Sequence, residues 1–343
     1  MQKKQRVFAV KVPYIYFPAK EKAAFAVEES DMTLHGNEVL VKSDFDLLSA
    51  GTDLASFHAL PTTGDVFPKY PGYSLSAHVI EIGPEVKNLR VGDNVIVHSC
   101  GHRGYVKRPE EALLKIPEGI DQKTAAWTHF SNFPMLGVRK LQIQLGEGVM
   151  VAGLGILGLF AVQYAKLSGG CPVIACDFSP ERRELALKLG ADHALDPRDS
   201  DFILNIKDLT NGKGPEAVVE VTGHLSGLQQ ALQYVAFMGR ISLLGCTRIS
   251  DEPLNIYRDI HVRGIRIIGA HTCARPNQDS YPGNWSELDD HLTFFKLVKS
   301  KRIQIDPIIH QIVSPKDAAE VYHTIGFQKN PPFGILFDWT KID

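Results

Sequence analysis

The chain has 343 residues, of which 44% are apolar and 22% are charged, and this is the composition of a globular protein with room for two domains. Its formal net charge of −2 gives no electrostatic reason to expect nucleic acid or an anionic membrane as a partner. The longest apolar run, residues 149–162, contains three glycines and is too short to span a bilayer. Lys11, Pro13 and Pro18 interrupt the stretch that would have to be the apolar part of a signal peptide. We therefore expect a cytoplasmic protein.

The first part of the chain is predicted to be rich in β-strands. Residues 39–43 and 77–82 are short, β-branched and partly alternating in hydrophobicity, which is typical of half-buried strands. Residues 95–97 follow a turn signal and predict a further strand. Residues 123–141 contain no helix breaker apart from Pro134, so this segment is predicted to be a helix with a kink at the proline.

From residue 146 onward, buried strands alternate with helices. The predicted strands and helices, in chain order, are residues 149–152, 157–167, 173–176, 181–189, 217–221, 225–235 and 240–244. Continuous apolar strands separated by helices indicate a doubly wound parallel sheet. A polar loop over residues 274–285 and a helix over 287–299 follow, and the chain from residue 308 returns to the character of the first part. The predicted fold class is α/β, with a β-rich domain (1–145 and 308–343) and a parallel α/β domain (146–307).

Residues 153–158 (GLGILG) lie between the first buried strand and its helix. Gly153 would permit a tight turn, Gly155 would let the backbone approach a pyrophosphate, and Gly158 would allow close packing of helix against sheet. Asp177 ends the next strand, where it can accept hydrogen bonds from both ribose hydroxyls and would repel a 2′-phosphate, which favours NAD over NADP. The predicted cofactor residues are Gly153, Gly155, Ile156, Leu157, Gly158, Asp177 and Arg182. A glycine turn without a ligand is the alternative, and Arg182 could equally be a solvated helix residue.

Several motifs resemble those of the medium-chain dehydrogenase/reductase superfamily. They include residues 81–86 (EIGPEV), 91–95 (VGDNV) and 113–119 (LLKIPEG), in a chain that passes from a β-rich domain through a glycine-rich nucleotide domain and back. Residues 51–53 (GTD) and 189–192 (LGAD) are most similar to the sorbitol and threonine dehydrogenase branch. The resemblance covers nearly the whole chain and implies a GroES-like catalytic domain with a Rossmann domain.

Within that resemblance, four residues stand where zinc members of the branch have metal ligands or their neighbours. A cysteine is replaced by Ala50, a His-Glu pair by Tyr73 and Ser74, and the third ligand position holds His129. Alanine has no donor atom, and protonated tyrosine and serine hydroxyls are poor zinc ligands. The four-cysteine structural zinc lobe of the family is also missing, so we predict no metal. The alternative is a new three-histidine site formed by His98, His102 and His129.

Hydride transfer without a metal requires a side chain that moves the hydroxyl proton and stabilises the developing alkoxide. Tyr73 offers a phenol, His129 offers an imidazole, and Thr52 matches the hydroxyl that relays protons in zinc relatives. These three are the predicted catalytic residues. Each has a structural alternative: Tyr73 as a space-filling aromatic, His129 as a hydrogen-bonded helix histidine, and Thr52 with Asp53 as caps of a helix that begins there.

Four further residues are predicted to contact substrate: His58, His102, His271 and Trp285. His58 could replace the relay histidine of some relatives, whose position here holds Ala55. His271 and Trp285 follow a strand that, in relatives, runs beside the nicotinamide and into a subunit interface. A polar loop with a tryptophan suits a polyol or sugar-like ligand, although a solvent-exposed loop would have the same composition.

Three functional hypotheses follow from these residues. The first is a zinc-independent oxidoreductase that transfers hydride between NAD(H) and a hydroxyl or carbonyl of a polyol- or sugar-like substrate, as a homodimer or homotetramer. The second is a quinone or enone reductase, an activity of other zinc-free relatives that more often use NADPH. The third is a catalytically silent NAD(H)-binding sensor or scaffold. A small-molecule substrate is the expected partner, and nucleic acid and membrane are not.

Overall fold

The computed structural model describes residues 9–281, 283–328 and 331–342. They form two compact units. Unit 1 contains the described residues up to 130 together with those from 309 onward, and unit 2 contains residues 131–308. The compact units divide at 130/131, inside a helix, and the domain boundaries predicted from the sequence at 145/146 and 307/308 stay a prediction.

Strands dominate unit 1, whereas strands and helices alternate along unit 2. The strands are β1 (Ala9–Ala19), β2 (Lys22–Asp31), β3 (Glu38–Leu47), β4 (Ser74–Ile82), β5 (Asn94–His98), β6 (Tyr105–Pro109), β7 (Leu114–Lys115), β8 (Val149–Ala152), β9 (Val173–Cys176), β10 (His193–Leu195), β11 (Ala217–Glu220), β12 (Arg240–Leu243), β13 (Arg266–Gly269), β14 (Gln311–Val313) and β15 (Ile335–Asp338). The helices are α1 (Ala50–Phe57), α2 (Gln122–Ala125), α3 (Thr128–Leu141), α4 (Ile156–Leu167), α5 (Pro180–Lys188), α6 (Phe202–Leu209), α7 (Leu225–Tyr234), α8 (Glu287–Lys299) and α9 (Ala318–Phe327). In the described part of the chain, no helix has both the length and the apolar composition needed to cross a membrane.

The sheet of unit 1 is built around β3, which pairs with β4, β6 and β15. Its strand order is β14-β15-β3-β4-β5-β7, with β6 against β3. Because β14 and β15 come from the last part of the chain, residues after 309 complete a sheet begun by the first fifty. A separate antiparallel hairpin, β1–β2, contributes Ile15 and Phe17 to the core that also contains Val41, Leu75 and Phe337.

Unit 2 contains a parallel sheet with the strand order β10-β9-β8-β11-β12-β13. Strands β8, β9 and β11 are buried over their whole length, which explains their continuous apolar sequences. Counted from β8, the order reads 3-2-1-4-5-6, so the chain leaves the centre of the sheet in opposite directions. Ligands of such sheets bind at the carboxyl ends of the strands where the order reverses, which here are β8 and β11.

The predicted α/β fold class is confirmed, and β8, β9 and α8 have the predicted bounds. The predicted helix over 123–141 is instead two helices, because Asp121 caps α2 and a new helix starts at Thr128, with Pro134 inside it. Hairpin β1–β2, strand β10 and helix α6 are missing from the sequence-based prediction. β10 has only three residues, too few to produce a periodic pattern.

Candidate functional site

The glycine-rich turn of unit 2 connects β8 to α4. Gly153 has a φ of +96°, a conformation that favours glycine. A Cβ on Gly158 would lie 1.9 Å from the Gly153 carbonyl oxygen, so only a hydrogen atom fits at that position. A Cβ on Gly155 would meet none of the described protein atoms within 4 Å. The turn is therefore closed where the helix packs on the strand and open where a phosphate would approach.

The N-terminus of α4 supplies hydrogen-bond donors to this open side. Gly155 is the N-cap residue and has no side chain that could cover the helix end. The N–H groups of the first helical turn, which include those of Ile156 and Leu157, have no carbonyl partner within the helix. Together with the positive end of the helix dipole, they make a site for an anion such as a pyrophosphate.

Asp177 follows β9 and is fixed against the same turn. Its Oδ2 accepts a hydrogen bond from the N–H of Leu154 at 2.8 Å, and its Oδ1 accepts one from the N–H of Ser179 at 2.9 Å. Arg182 Nη1 lies 4.0 Å from Asp177 Oδ2, whereas Arg183 Nη1 donates to the Asp177 carbonyl at 2.7 Å. The carboxylate predicted to select the ribose is thus held by the turn predicted to bind the phosphates.

Sequence reasoning missed Glu220, which ends β11 next to β8. Its Oε1 accepts hydrogen bonds from the N–H of Thr222, at 2.8 Å, and from the Thr222 hydroxyl. The side chain is fully buried, and burial raises the pKa of its carboxyl. A Cβ on Gly153 would lie 3.2 Å from the Thr222 nitrogen, so the segment that Glu220 organises forms the second wall of the glycine turn. The sequence feature that could have indicated Glu220 is a charged residue at the carboxyl end of an apolar strand.

In unit 1, the structure brings polar and aromatic side chains together around Tyr73. The Tyr73 hydroxyl donates a hydrogen bond to Ser49 Oγ at 2.6 Å. The His129 ring lies edge-on to the Tyr73 ring, with centroids 5.8 Å apart, and stacks on the His98 ring at 4.7 Å. Phe130 stacks against Tyr73 at 6.2 Å. We call Ser49, Tyr73, His98 and His129 the hydroxyl–imidazole cluster.

The ends of several elements meet at this cluster. Ser49 is the N-cap of α1. Tyr73 immediately precedes β4, whose first residue, Ser74, pairs with His98 at the end of β5. The Ser74 hydroxyl donates to the Ala126 carbonyl at 2.6 Å, just before α3, and this bond holds the segment that leads to His129.

The two other residues predicted around α1 have different environments. Ser49 is the N-cap and both Thr52 and Asp53 lie in the first turn of α1, so neither of the two is the N-cap residue itself. Asp53 Oδ2 accepts a hydrogen bond from the Ser49 N–H at 3.0 Å, while Thr52 is exposed. His58 follows the last turn of α1, and its Nδ1 lies 3.1 Å from Glu21 Oε1. The hydroxyl that forms a hydrogen bond with Tyr73 is that of Ser49, the N-cap residue of α1.

His102 belongs to a buried ionic cluster. Its Nδ1 lies 2.7 Å from Asp46 Oδ2, and its Nε2 lies 3.4 Å from Asp53 Oδ2 and 3.0 Å from the Tyr322 hydroxyl. Burial alone lowers the pKa of His102, but the Asp46 and Asp53 carboxylates outweigh this effect and raise it to about 10. His102 is therefore a buried imidazolium that joins β3, α1 and α9. With both ring nitrogens occupied, neither the predicted substrate contact nor the three-histidine metal site is supported.

The polar loop of unit 2 is held by a buried ion-pair network. Asp290 has no exposed surface and pairs with both Arg139 and Arg275. Burial raises the pKa of the Asp290 carboxyl to about 6, against the opposing effect of the arginines. The Arg139 guanidinium lies 4.5 Å from the centroid of the Trp285 ring, which is 39% exposed. His271 is exposed as well, so the substrate contacts predicted for Trp285 and His271 stay predictions.

Known proteins resemble the chain over most of its length. The sequence profile of the zinc-binding dehydrogenase family matches residues 157–290. The chain is 30% identical over 275 residues to L-threonine 3-dehydrogenase of Pyrococcus horikoshii, an alignment that covers 71% of this chain and 74% of that protein. It is 29% identical over 329 residues to D-guloside 3-dehydrogenase of Escherichia coli K12, with 88% of this chain and 92% of that protein covered.

Solved structures share the fold. A Sinorhizobium meliloti protein described as a zinc-binding dehydrogenase bound to NADP superposes with a TM-score of 0.79 at 21% identity, covering 96% of this chain and 99% of that one. An Escherichia coli CFT073 alcohol dehydrogenase in complex with NADH superposes with a TM-score of 0.79 at 18% identity, covering 95% and 99%.

The residues of unit 2 fit a dinucleotide. The uncapped end of α4, the open space beside Gly155 and the fixed Asp177 carboxylate are the features that such a ligand requires. When bound, a nicotinamide dinucleotide would supply or accept a hydride.

The residues of unit 1 do not fit the catalytic zinc of the family at the resembling positions. Ala50 has no donor atom, the Tyr73 hydroxyl is engaged with Ser49, and the Ser74 hydroxyl is engaged with the Ala126 carbonyl. Among these positions, His129 alone carries a good zinc donor, and such a site needs three protein ligands.

Alanine substitutions at two glycines should separate folding from cofactor binding. Gly155→Ala should leave the melting temperature unchanged, because its φ of −66° suits alanine and the Cβ meets open space. It should weaken NADH binding at least about 10-fold by filling the phosphate approach. Gly158→Ala should lower both the melting temperature and the affinity for NADH, because its Cβ would overlap the Gly153 carbonyl. NADH fluorescence titration and thermal unfolding measure the two effects, and wild-type NADH affinity in Gly155→Ala would contradict the assigned cradle.

The buried imidazolium should make stability depend on pH. The pKa of His102 is raised from its ordinary value of 6.5 to about 10, so the folded state binds this proton more tightly than the unfolded state. The stabilisation is therefore fully present below pH 6.5 and is lost as the pH rises through about 10. Urea unfolding between these limits should show the decline, and NMR of the histidine rings should show His102 protonated at pH 8. A His102 ring that titrates near pH 6.5 would be inconsistent with this cluster.

Proposed function

The chain belongs to the medium-chain dehydrogenase superfamily, in the branch of the sorbitol and threonine dehydrogenases, and we propose that it is a zinc-independent, NAD-linked dehydrogenase of a polyol- or sugar-like substrate. As a member of this superfamily it is an alcohol- or polyol-dehydrogenase-like oxidoreductase with a dinucleotide cofactor of the NAD type. The observation that carries the finer proposal is the hydrogen bond from the Tyr73 hydroxyl to Ser49, at the position where relatives hold zinc.

The choice of NAD over NADP is supported by Asp177. Its carboxylate is fixed by the N–H groups of Leu154 and Ser179, beside the glycine turn. A carboxylate held there can accept hydrogen bonds from ribose hydroxyls, and it would repel the additional charge of a 2′-phosphate. Arg182 lies 4.0 Å from the carboxylate and partly offsets its charge, so we expect a preference for NAD rather than complete exclusion of NADP.

The class of substrate is supported by the relatives. The D-guloside 3-dehydrogenase alignment covers 88% of this chain, and the name of that relative gives a D-guloside as its substrate. The threonine dehydrogenase relative acts on a small hydroxylated molecule. Of these two, we favour the sugar-like substrate, because the guloside dehydrogenase alignment covers more of this chain.

The hydroxyl–imidazole cluster provides the proton that accompanies the hydride. In the direction of reduction, Tyr73 donates its phenolic proton to the substrate oxygen, the Ser49 hydroxyl, with which it shares a 2.6 Å hydrogen bond, stabilises the resulting phenolate, and solvent returns the proton to the phenolate. In the direction of oxidation, the Tyr73 phenolate, having lost its own proton to solvent, accepts the proton of the substrate hydroxyl. His129 packs edge-on against the phenol and orients it. This arrangement assigns proton transfer to Tyr73 and a positioning role to His129.

We further infer that the protein is a cytoplasmic homodimer or homotetramer. The cytoplasmic location is inferred from the composition. The oligomeric state is supported by the position of β13 at the edge of the parallel sheet, because an edge strand can pair with a strand of a second copy.

The proposal is tested by a panel of polyols, sugars, glycosides, quinones and enones with NAD and with NADP, each with and without a chelator. We expect NAD-dependent oxidation of a polyol, sugar or glycoside that survives exhaustive chelation. Loss of activity on chelation and its restoration by zinc would contradict zinc independence. Activity on quinones or enones alone would favour the reductase alternative. NADH binding without any turnover would identify the catalytically silent protein.

Removing the Tyr73 hydroxyl should slow the chemical step. We expect Tyr73→Phe to lower kcat about 100-fold, because it removes the donor to the reacting oxygen while keeping the ring. Ser49→Ala should cost less, about 10-fold, because it removes one hydrogen-bond partner of the phenol. Tyr257→Phe, at an exposed tyrosine of unit 2, is the matched control and should be neutral. Steady-state kinetics measure all three variants. Full turnover in both Tyr73→Phe and Ser49→Ala would contradict the assignment of proton transfer to Tyr73.

A further inference from the structure

Three tyrosines form an aromatic cluster on unit 1 in which Tyr70 is exposed and Tyr14 and Tyr16 are half-buried, and we call Tyr14, Tyr16 and Tyr70 the tyrosine surface. The ring centroids of Tyr14 and Tyr16 are 5.4 Å apart, and those of Tyr16 and Tyr70 are 6.4 Å apart in a stacked arrangement. The Tyr14 and Tyr70 centroids are 6.1 Å apart. Tyr70 is 55% exposed. The catalytic proposal does not use any of these residues.

The sequence leaves the two rings on β1 only partly covered. Tyr14 and Tyr16 are two residues apart on β1, so their side chains lie on the same face of the hairpin. Their cross-strand partners on β2 are Ala26 and Ala24, whose methyl groups are too short to cover a phenol ring. Between them, Ile15 turns to the opposite face and is buried in the core.

The surface is also rigid. Phe17 and Lys69 exchange backbone hydrogen bonds at 2.8 and 3.0 Å, which places Tyr70 beside Tyr16. The ammonium group of Lys69 donates to the carbonyls of Ser56 and Gly64 at 3.2 and 2.7 Å, and these bonds fix the segment that carries Tyr70. A ligand that binds here would therefore meet rings that are already in position.

Polar groups border the rings. The Arg103 guanidinium lies 6.0 Å from the centroid of the Tyr14 ring, and its Nη2 lies 3.8 Å from Glu28 Oε1. Burial and the Glu28 carboxylate raise the pKa of Tyr14, so its hydroxyl stays protonated and can donate a hydrogen bond. Flat apolar faces with hydroxyl, guanidinium and carboxylate groups at their edge are the combination that recognises a sugar ring, whose C–H face is apolar and whose rim is hydroxylated.

The tyrosine surface is close to the hydroxyl–imidazole cluster along the chain. Tyr70 precedes Tyr73 by three residues, so their Cα atoms are at most about 11 Å apart. Gly72 between them is pressed against His102, since a Cβ there would lie 2.6 Å from the His102 nitrogen. A glycoside with two linked hexose rings has a length of this order, so a ring stacked on the tyrosine surface and a ring at Tyr73 can belong to the same molecule.

We propose that the tyrosine surface binds a second ring of the substrate, and that the substrate is accordingly a glycoside with two rings rather than a free monosaccharide. This inference rests on the proposed sugar dehydrogenase function. The ring that reacts lies at Tyr73, and the ring linked to it stacks on the exposed Tyr70, whose ring is supported by Tyr16. Stacking of this kind contributes to affinity for the two-ring substrate and leaves the chemistry of the first ring unchanged.

Matched one-ring and two-ring probes test the proposal by equilibrium binding to the NADH complex. The pairs are methyl β-D-glucoside with methyl β-cellobioside, and methyl β-D-galactoside with methyl β-(1→4)-galactobioside, measured by calorimetry and saturation-transfer NMR. In at least one pair, the wild type should bind the two-ring probe about 10-fold more tightly, with magnetisation transfer to the second ring. Tyr70→Ala should abolish this ratio. Tyr70→Phe, which keeps the stacking face, should retain it, and Val66→Ala is an exposed control on the same segment.

The outcomes separate this inference from the proposed function. An active enzyme whose two-ring preference is absent, or is unchanged in a folded Tyr70→Ala, overturns the inference and leaves the dehydrogenase function in place. A protein that binds two-ring probes through Tyr70 but turns over no sugar, polyol or glycoside keeps the surface and loses the proposed function. Binding of neither probe overturns the inference. So does a Tyr70→Ala variant that changes the sedimentation coefficient without changing the ratio, because the surface would then be a contact between subunits.

Discussion

The buried imidazolium of His102 is the interaction on which the arrangement of unit 1 depends. Its carboxylate partners come from β3 and α1, and its hydroxyl partner, Tyr322, comes from α9. The His102 carbonyl accepts a hydrogen bond from the Ile15 N–H at 2.9 Å, which holds β1, and its ring lies against Gly72, next to Tyr73. One residue thus fixes the N-terminus of α1 and the Tyr73 segment through its side chain, and the hairpin that carries Tyr14 and Tyr16 through its backbone carbonyl. A buried charge with two opposite partners is costly to disrupt, which makes this junction stiff.

Local patterns predicted the parallel half of the protein well. β8, β9 and α8 have their predicted bounds because the patterns that define them are local: continuous apolar runs for the two strands, and a capping serine for the helix. The glycine turn and Asp177 meet as the motif implies. The environment of His102 could not be predicted, because Asp46 and Asp53 converge on it only through the tertiary fold. The cap of α1 lies three residues before Thr52, and the pairing of Ser49 with Tyr73 spans 24 positions that carry no periodic signal.

In the proposed function, the position that the family resemblance assigns to zinc is a hydroxyl site. Ser74 ties β4 to the segment before α3, and Ser49 is the N-cap of α1. The donor atoms at this site are hydroxyl oxygens. A metal acts on a substrate oxygen as a Lewis acid without exchanging a proton, whereas a phenol and a serine must exchange one. In the proposed reaction the hydroxyl pair handles the proton while the hydride is exchanged with the dinucleotide, so the reaction depends on the geometry of that pair.

Unit 1 is assembled from both ends of the chain, because β15 pairs with β3 and Tyr322 reaches His102. During synthesis from the N-terminus, residues 131–308 are all available to form unit 2 before the last strand has left the ribosome. Residues 45–47 of β3 must wait for β15, which is made after unit 2, whereas residues 38–42 already have β6 as their partner. The unit proposed to handle the substrate is thus the last to mature, and the nascent polypeptide can acquire its dinucleotide cradle before it acquires a reactive centre.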